Sequence, residues 1–167
     1  EKDRPDVILA EPVGSCTDLS ATLLNPIKEM MRTEVSLGPL AVLIDPGRLK
    51  DILNGTSGLH PSAAYIIRKQ LEESDMITLT KTDLYHPDEI RLLSDQLKKD
   101  FPDCEVNAIS SRTGNGLEAW LDVMLSANEA GKHIVEVNYD KYAEGEAVLG
   151  WLNCSASLHG NNTDWDA

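Results

Sequence analysis

The sequence predicts an α/β fold built on a parallel sheet. Three observations predict it: short, almost wholly apolar runs recur along the chain, amphipathic helical patterns separate them, and each run stops in a cluster of polar or turn-forming residues. Strands of a parallel sheet are buried on both faces, so they read as continuous apolar runs rather than as alternating ones.

Asp6-Val7-Ile8-Leu9-Ala10 reads as the first buried strand, ended by Glu11-Pro12-Val13-Gly14. Leu19, Leu23, Leu24, Ile27, Met30 and Met31 follow at helical spacing. Pro26 interrupts them and is expected to start or kink a helix. Leu40-Ala41-Val42-Leu43-Ile44 is the second strand, closed by Asp45-Pro46-Gly47, with a short helix expected from Arg48 to Leu53. Pro61 fits the first position of a helix whose inner face carries Ala64, Ile67 and Leu71. Met76-Ile77-Thr78-Leu79 is the third strand. His86-Pro87-Asp88-Glu89 opens a helix with acids in its first turn, where the helix dipole favours them, and Ile90, Leu93, Leu97 and Phe101 form its apolar stripe. Cys104 to Ile109 is the fourth strand, and Leu117, Trp120, Leu121, Met124 and Leu125 line the helix after it. Parallel strands are therefore expected near residues 6–10, 40–44, 76–80 and 104–109.

After Gly131 the pattern changes. Ile134-Val135-Glu136-Val137 reads as a strand and Tyr139 to Leu149 as a helix. Trp151 to Leu158 alternates, with Leu152, Cys154, Ala156 and Leu158 on one face, as a half-exposed strand does. Residues 1–130 and 131–167 are thus expected to be the main domain and the beginning of a smaller α+β one.

Apolar residues make up 41% of the 167, which suits a globular chain. Acidic residues outnumber basic ones 28 to 15, for a net charge of −13. That field repels nucleic-acid phosphates and anionic lipid, and Lys98-Lys99 is the strongest basic cluster, so neither nucleic acid nor membrane is expected as a partner. The polar opening, Glu1 to Pro5, gives no sign of a signal peptide. Three widely spaced cysteines without a C-x-x-C pair fit a reduced, cytoplasmic protein.

Chemistry concentrates at three strand ends, where ligands of open α/β sheets bind. Thr80-Lys81-Thr82-Asp83 follows the third strand. A carboxylate there can accept two hydrogen bonds from the ring N–H and amino group of guanine, a pair adenine does not offer, while the lysine stem lies along the base. The plain alternative is a charged turn. Ser110-Ser111-Arg112-Thr113-Gly114-Asn115-Gly116 follows the fourth strand. Backbone N–H groups of such a loop can hold the guanine carbonyl, and its glycines permit unusual dihedrals; the alternative is a turn of small residues. Glu11-Pro12-Val13-Gly14 follows the first strand. Glu11 can orient a water on magnesium and Gly14 can offer its N–H to a terminal phosphate, against the alternative of an ordinary strand-end turn.

These segments resemble the CobW/HypB/UreG family of GTPases, and CobW-like proteins most. The resemblance is carried by Glu11 to Asp18 (the family's E-x-x-G Walker B region), Val42-Leu43-Ile44-Asp45-Pro46, Gln70 to Asp75, Thr80-Lys81-Thr82-Asp83-Leu84 (its N/T-K-x-D) and Ile109 to Leu117 (its S-A-K-T-G-x-G-L). Tyr139 to Asn153 is similar to the junction with the C-terminal domain of some CobW-like proteins. The resemblance implies a P-loop NTPase fold and a cytoplasmic metal chaperone, cobalamin-synthesis or cofactor-insertion GTPase. Its cofactors would be GTP and Mg2+, its cargo zinc, cobalt or nickel, and its partners a client metalloprotein or cofactor-assembly protein and the missing N-terminal segment, with a homodimer allowed. Glu11 and Gly14 would then be catalytic, and Thr80, Lys81, Asp83, Ser110, Ser111 and Arg112 would bind the base. Cys16 stands where HypB-like relatives carry a metal-binding cysteine; a small buried apolar residue is the alternative.

The departures are specific. No G-x-x-x-x-G-K-[ST] occurs in the chain, and the family carries that loop, its first switch and a C-x-C-C motif ahead of the strand that ends at Glu11. The expectation is an incomplete GTPase domain. Thr80 replaces the commoner asparagine, Ser111 an alanine and Arg112 a lysine. A catalytically silent interaction module derived from such a GTPase is the competing expectation. An adenine- or flavin-binding domain is disfavoured by Thr80 to Asp83.

Overall fold

The computed structural model describes residues 5–126 and 130–149. It is an α/β structure with a three-stranded parallel sheet, β1 (Ala41–Ile44), β2 (Met76–Leu79) and β3 (Glu105–Ala108), in the order β1-β2-β3. Six α-helices accompany it among the described residues: α1 (Asn25–Met30), α2 (Pro46–Leu53), α3 (Pro61–Glu73), α4 (Pro87–Asp100), α5 (Leu117–Ser126) and α6 (Tyr139–Leu149).

The register pairs Ile44 with Leu79 and Leu79 with Ala108, so the three strands end level. β2 is central, and all four of its residues are buried. Val42, Ile44, Ile77, Leu79, Val106 and Ala108 share one face, as a period of two dictates, and pack on Leu49 of α2, Leu71 of α3 and Leu97 of α4. On the opposite face Thr78 is fully buried and its hydroxyl accepts from Trp120 Nε1 of α5 at 2.9 Å. That bond explains a polar residue in the middle of a buried strand, because a buried hydroxyl without a partner is costly.

The helices start where local chemistry starts them. Asp45 accepts from Gly47 N at 2.9 Å and Arg48 N at 3.2 Å, and Pro46 takes the first helical position, so α2 begins two residues earlier than expected. His60 and His86 cap α3 and α4 ahead of Pro61 and Pro87. Glu89 closes a capping box back to His86 N. At Pro26 the helical pitch changes: a π-helical turn, Ser20–Leu24, passes into α1, with Asn25 N bonded to Ser20 O. Proline offers no N–H and crowds the carbonyl four residues back, which favours such a register shift.

The expected strand at residues 6–10 is not formed. Val7, Ile8 and Leu9 are 55%, 72% and 85% exposed, and the segment makes no ladder with β1. Its composition suits a buried strand, but a strand needs a neighbour for its N–H and C=O groups, and none is paired with this one among the described residues. Residues 134–137 likewise form no strand. The expected strand at 151–158 lies outside the described residues. α6 packs on α3, and Gly145 makes that approach possible: a Cβ there would lie 2.6 Å from Ile66 Cδ1 and 2.8 Å from Ser62 O. No described helix is long and apolar enough to cross a membrane.

One buried carboxylate joins these parts. Asp75, just ahead of β2, accepts from Leu40 N at 2.8 Å, Gly131 N at 2.6 Å and Lys132 N at 2.8 Å. Hydrogen bonds to a charged acceptor are each worth about 1.5–3 kcal/mol. Asp75→Ala should therefore cost about 3–5 kcal/mol, a large part of the stability of an ordinary domain. Urea unfolding followed by circular dichroism reads this directly; a loss under about 1 kcal/mol would show that water replaces the carboxylate without penalty.

Candidate functional site

The level ends of β2 and β3 set two loops side by side. Ile109 N donates to Leu79 O at 2.8 Å, and Thr82 N to Ile109 O at 3.2 Å, so the first loop is laced to the second. Thr82–Leu84 forms one 3₁₀ turn, which leaves Asp83 exposed. Ser110, fully buried, donates from Oγ to Asp83 Oδ1 at 2.6 Å and accepts from Thr113 N at 3.2 Å. This fixes the carboxylate's orientation and leaves its second oxygen without a partner among the described residues.

The turn after β3 closes on itself through Ser110 N to Asn115 O at 2.9 Å and Gly114 N to Ser110 O at 2.8 Å. The N–H groups of Ser111 and Arg112 have no acceptor among the described residues. Gly116 adopts φ +73°, and a Cβ there would collide with Ala108 O, so glycine is required for the turn to fold back on β3. Asp83, Thr113 and Asn115 share a cleft of about 210 Å³ with Thr82, Tyr85 and Pro87. A wider groove of about 1120 Å³ lies between α2 and α4; no residue of 80–83 or 110–116 lines it.

Lys81 lies in the left-handed region at φ 54°. Its ammonium sits 3.2 Å from Asp45 Oδ2, at the end of β1. Thr80 is bound to the same strand end: its N and Oγ1 donate to Ile44 O at 2.9 and 3.2 Å. Thr80, Lys81, Asp83, Ser110, Ser111 and Arg112 are thus gathered at the ends of β2 and β3, with the first two tied to the end of β1.

Glu11 and Gly14 are not part of that group. Gly14 O and Cys16 O accept from Gln70 Nε2 at 2.9 and 2.8 Å, while Ser20 N and Thr17 Oγ1 donate to the buried Glu73. Gln70 and Glu73 stand in the last turns of α3, which lead into the N-terminal end of β2; Asp83 follows its C-terminal end. Glu11 is exposed and makes no hydrogen bond or ion pair among the described residues, and a Cβ at Gly14 would meet nothing within 4 Å. Cys16 is a half-buried free thiol. Beside it Tyr139 of α6 donates to Asp18, itself at φ 62°. No three His, Cys, Asp or Glu side chains among the described residues are grouped to hold a metal ion. Among the described residues, Asp83 and Ser110 are joined, and Glu11 and Gly14 are not bonded to either.

No family model, no curated protein and no solved structure matches this chain. The functional reading rests on the residues.

Two residues of the cluster carry no role in the motif reading. Asp45 acts as helix cap and cation partner at once, and Tyr85 donates to Asp45 Oδ1 at 2.9 Å while accepting from Gly47 N at 3.1 Å. The D-P-G triplet at 45–47 is a legible capping signal; the tyrosine bond, spanning 40 residues, has no local signature. Burial alone would raise the Asp45 carboxyl pKa, but hydrogen bonds from Tyr85, Lys81 and the Arg48 and Gly47 amides hold it below its ordinary 3.8. Burial, then the bond to Asp45, pushes the Tyr85 phenol above 10.0.

The sign of the pH effect follows. A carboxylate depressed by folding contributes stability above its unfolded pKa, near 3.8, and that contribution is lost as pH falls through the lower folded value. Asp45→Asn keeps a capping side chain. The stability difference between wild type and Asp45→Asn should therefore be constant from neutral pH down to about 4 and shrink below it. Equilibrium unfolding across that range checks this; a difference that does not change with pH would show that the charge is irrelevant.

Proposed function

We propose that this chain is the guanine-reading part of a GTP-dependent metal chaperone or metallocofactor-insertion protein, with the P-loop NTPase fold and descent that its resemblance to CobW/HypB/UreG proteins implies. The observation that carries the proposal is the Ser110–Asp83 bond of 2.6 Å between two adjacent strand ends. In this reading Asp83 accepts the ring N–H and amino group of guanine on its two oxygens, held in the base plane by Ser110. The free N–H groups of Ser111 and Arg112 take the guanine carbonyl, where their exposed side chains do not interfere. Lys81 contributes its methylene stem along the ring. Adenine presents an acceptor where guanine presents a donor, so a carboxylate fixed in this way rejects it.

The phosphates need other residues. With no G-x-x-x-x-G-K-[ST] in the 167 residues, the chain lacks the cradle that bears most of the phosphate charge in such enzymes. Its net charge of −13 adds repulsion toward a polyanion. The chain by itself is therefore expected to release no phosphate from GTP above background and to bind nucleotide no more tightly than about millimolar, about −4 kcal/mol. Micromolar affinity in a calorimetric titration with GTP and magnesium, or steady turnover by pure protein, would reveal a phosphate site outside the residues named here.

Base reading is tested separately, by amide chemical shifts of the 15N-labelled chain titrated with GMP and AMP. GMP should shift the Ser111 and Arg112 amides saturably, and AMP should not. Asp83→Ala should weaken GMP binding by about 2–4 kcal/mol, the worth of a pair of charge-assisted hydrogen bonds. Asp83→Asn should prefer XMP. Unchanged GMP affinity in both variants would remove the assignment.

The competing reading, an interaction module without nucleotide chemistry, is favoured by one observation: Leu43 of β1 is 55% exposed on the sheet face opposite the core. It predicts an unshifted spectrum with any nucleotide.

A further inference from the structure

The Thr80–Tyr85 loop is fastened at both ends to the turn after β1. At its start Thr80 bonds Ile44 O twice, at 2.9 and 3.2 Å. At its finish the Tyr85 hydroxyl bridges Asp45 Oδ1 at 2.9 Å and Gly47 N at 3.1 Å. Gly47 leaves the space this needs: a Cβ there would lie 2.9 Å from the tyrosine oxygen. Between these ties Lys81 reaches Asp45 Oδ2. Asp45 thus has both oxygens committed, Oδ1 to the start of α2 and to Tyr85, Oδ2 to Lys81.

A lysine side chain that is 61% exposed is ordinarily mobile, and ordering it against a ligand carries an entropic cost at the moment of binding. Here the far end is already held. A chain fixed at Cα by a left-handed backbone and at Nζ by a carboxylate has its methylenes stretched between the ends of β2 and β1, ready for a flat ring to lie on. A surface of methylenes does not distinguish one purine from another; that task falls to Asp83.

We infer that Asp45, steadied by Tyr85, is a positioning residue that pre-orders the Lys81 stem as a platform for a purine base. The inference rests on the base-reading assignment proposed above and divides the labour of the site: Asp45 and Lys81 govern how tightly any purine sits, Asp83 governs which purine.

The test is a double-mutant cycle on the full chain, read as GMP affinity by amide chemical shifts. Its variants are Asp45→Asn, Lys81→Met and the two together, with Asp83→Ala as reference. Asparagine caps a helix about as well as aspartate, so Asp45→Asn should remain folded at neutral pH, with its thermal midpoint lowered only by what the charge of the carboxylate contributes. Its GMP affinity should fall roughly fivefold, the scale of an exposed ion pair, while Asp45→Asn in the Lys81→Met background should cost nothing further. Weak AMP binding, where measurable, should fall in the same proportion as GMP. Equal losses from Asp45→Asn in both backgrounds, or no loss in wild type while Asp83→Ala still weakens GMP, would overturn the positioning role and leave the base reading intact. GMP affinity indifferent to Asp83→Ala overturns the base reading itself and the inference with it.

Discussion

The carboxylate of Asp75 ties together three stretches of chain: the approach to β1 at Leu40, its own position ahead of β2, and the Gly131-Lys132 segment that leads to α6. Main-chain bonds reinforce the junction, since Asp75 N and Met76 N both donate to Leu40 O and Glu105 N donates to Asp75 O. All three strands are thus aligned at their N-terminal ends by one residue. With four-residue strands in register from there, their C-terminal ends fall level, and the two loops that form the candidate site are brought within bonding distance. The site depends on a group at the opposite end of the sheet because short strands transmit alignment with little slack. A buried charge is tolerable here because backbone N–H groups converge on it, in place of the water it gives up.

The polar residues of Gln70 to Asp75 share this kind of work. Gln70 holds the carbonyls of Gly14 and Cys16, Glu73 holds Ser20 and Thr17, and Ser74 donates to Leu71 O. A short segment leading into the central strand thus fastens the stretch from Gly14 to Ser20 to the body of the molecule. In sequence it looks like the charged end of an amphipathic helix, and nothing in its pattern distinguishes solvated acids from buried ones. Glu73 at 1% exposed and Glu72 at intermediate burial are neighbours of the same type.

The three paired strands and the starts of α3 and α4 were legible because each rests on a local rule: short, largely apolar runs for strands, and a proline at the first helical position for α3 and α4, whereas α2 starts at Pro46, two residues before the expected Arg48. The loops at residues 80–83 and 110–116 were legible for the same reason, since strand ends are where the residue types could be weighed for chemistry. What failed to show depends on partners distant in sequence. Residues 6–10 have the composition of a strand without a ladder, and no periodicity reports whether a neighbour exists. Tyr85 has no local signature, although its hydroxyl closes the cluster around Asp45. Gln70 holds the carbonyl of Gly14 from the last turns of α3, a contact across 56 residues that no local pattern announces.

The glycine at the centre of the α3–α6 contact makes α6 a conditional helix. An eleven-residue helix is short for independent stability in water, and a mid-helix glycine lowers its propensity by about 1 kcal/mol relative to alanine. What offsets this is the close seating on Ile66 and Ser62 that the missing side chain permits, with Tyr65 and Tyr139 anchoring the first turn. Coiling and docking of residues 139–149 are therefore one event rather than two. Helicity in that stretch reports attachment to α3, and whatever chain follows α6 is joined to the sheet domain through an element that keeps its shape only while it is seated.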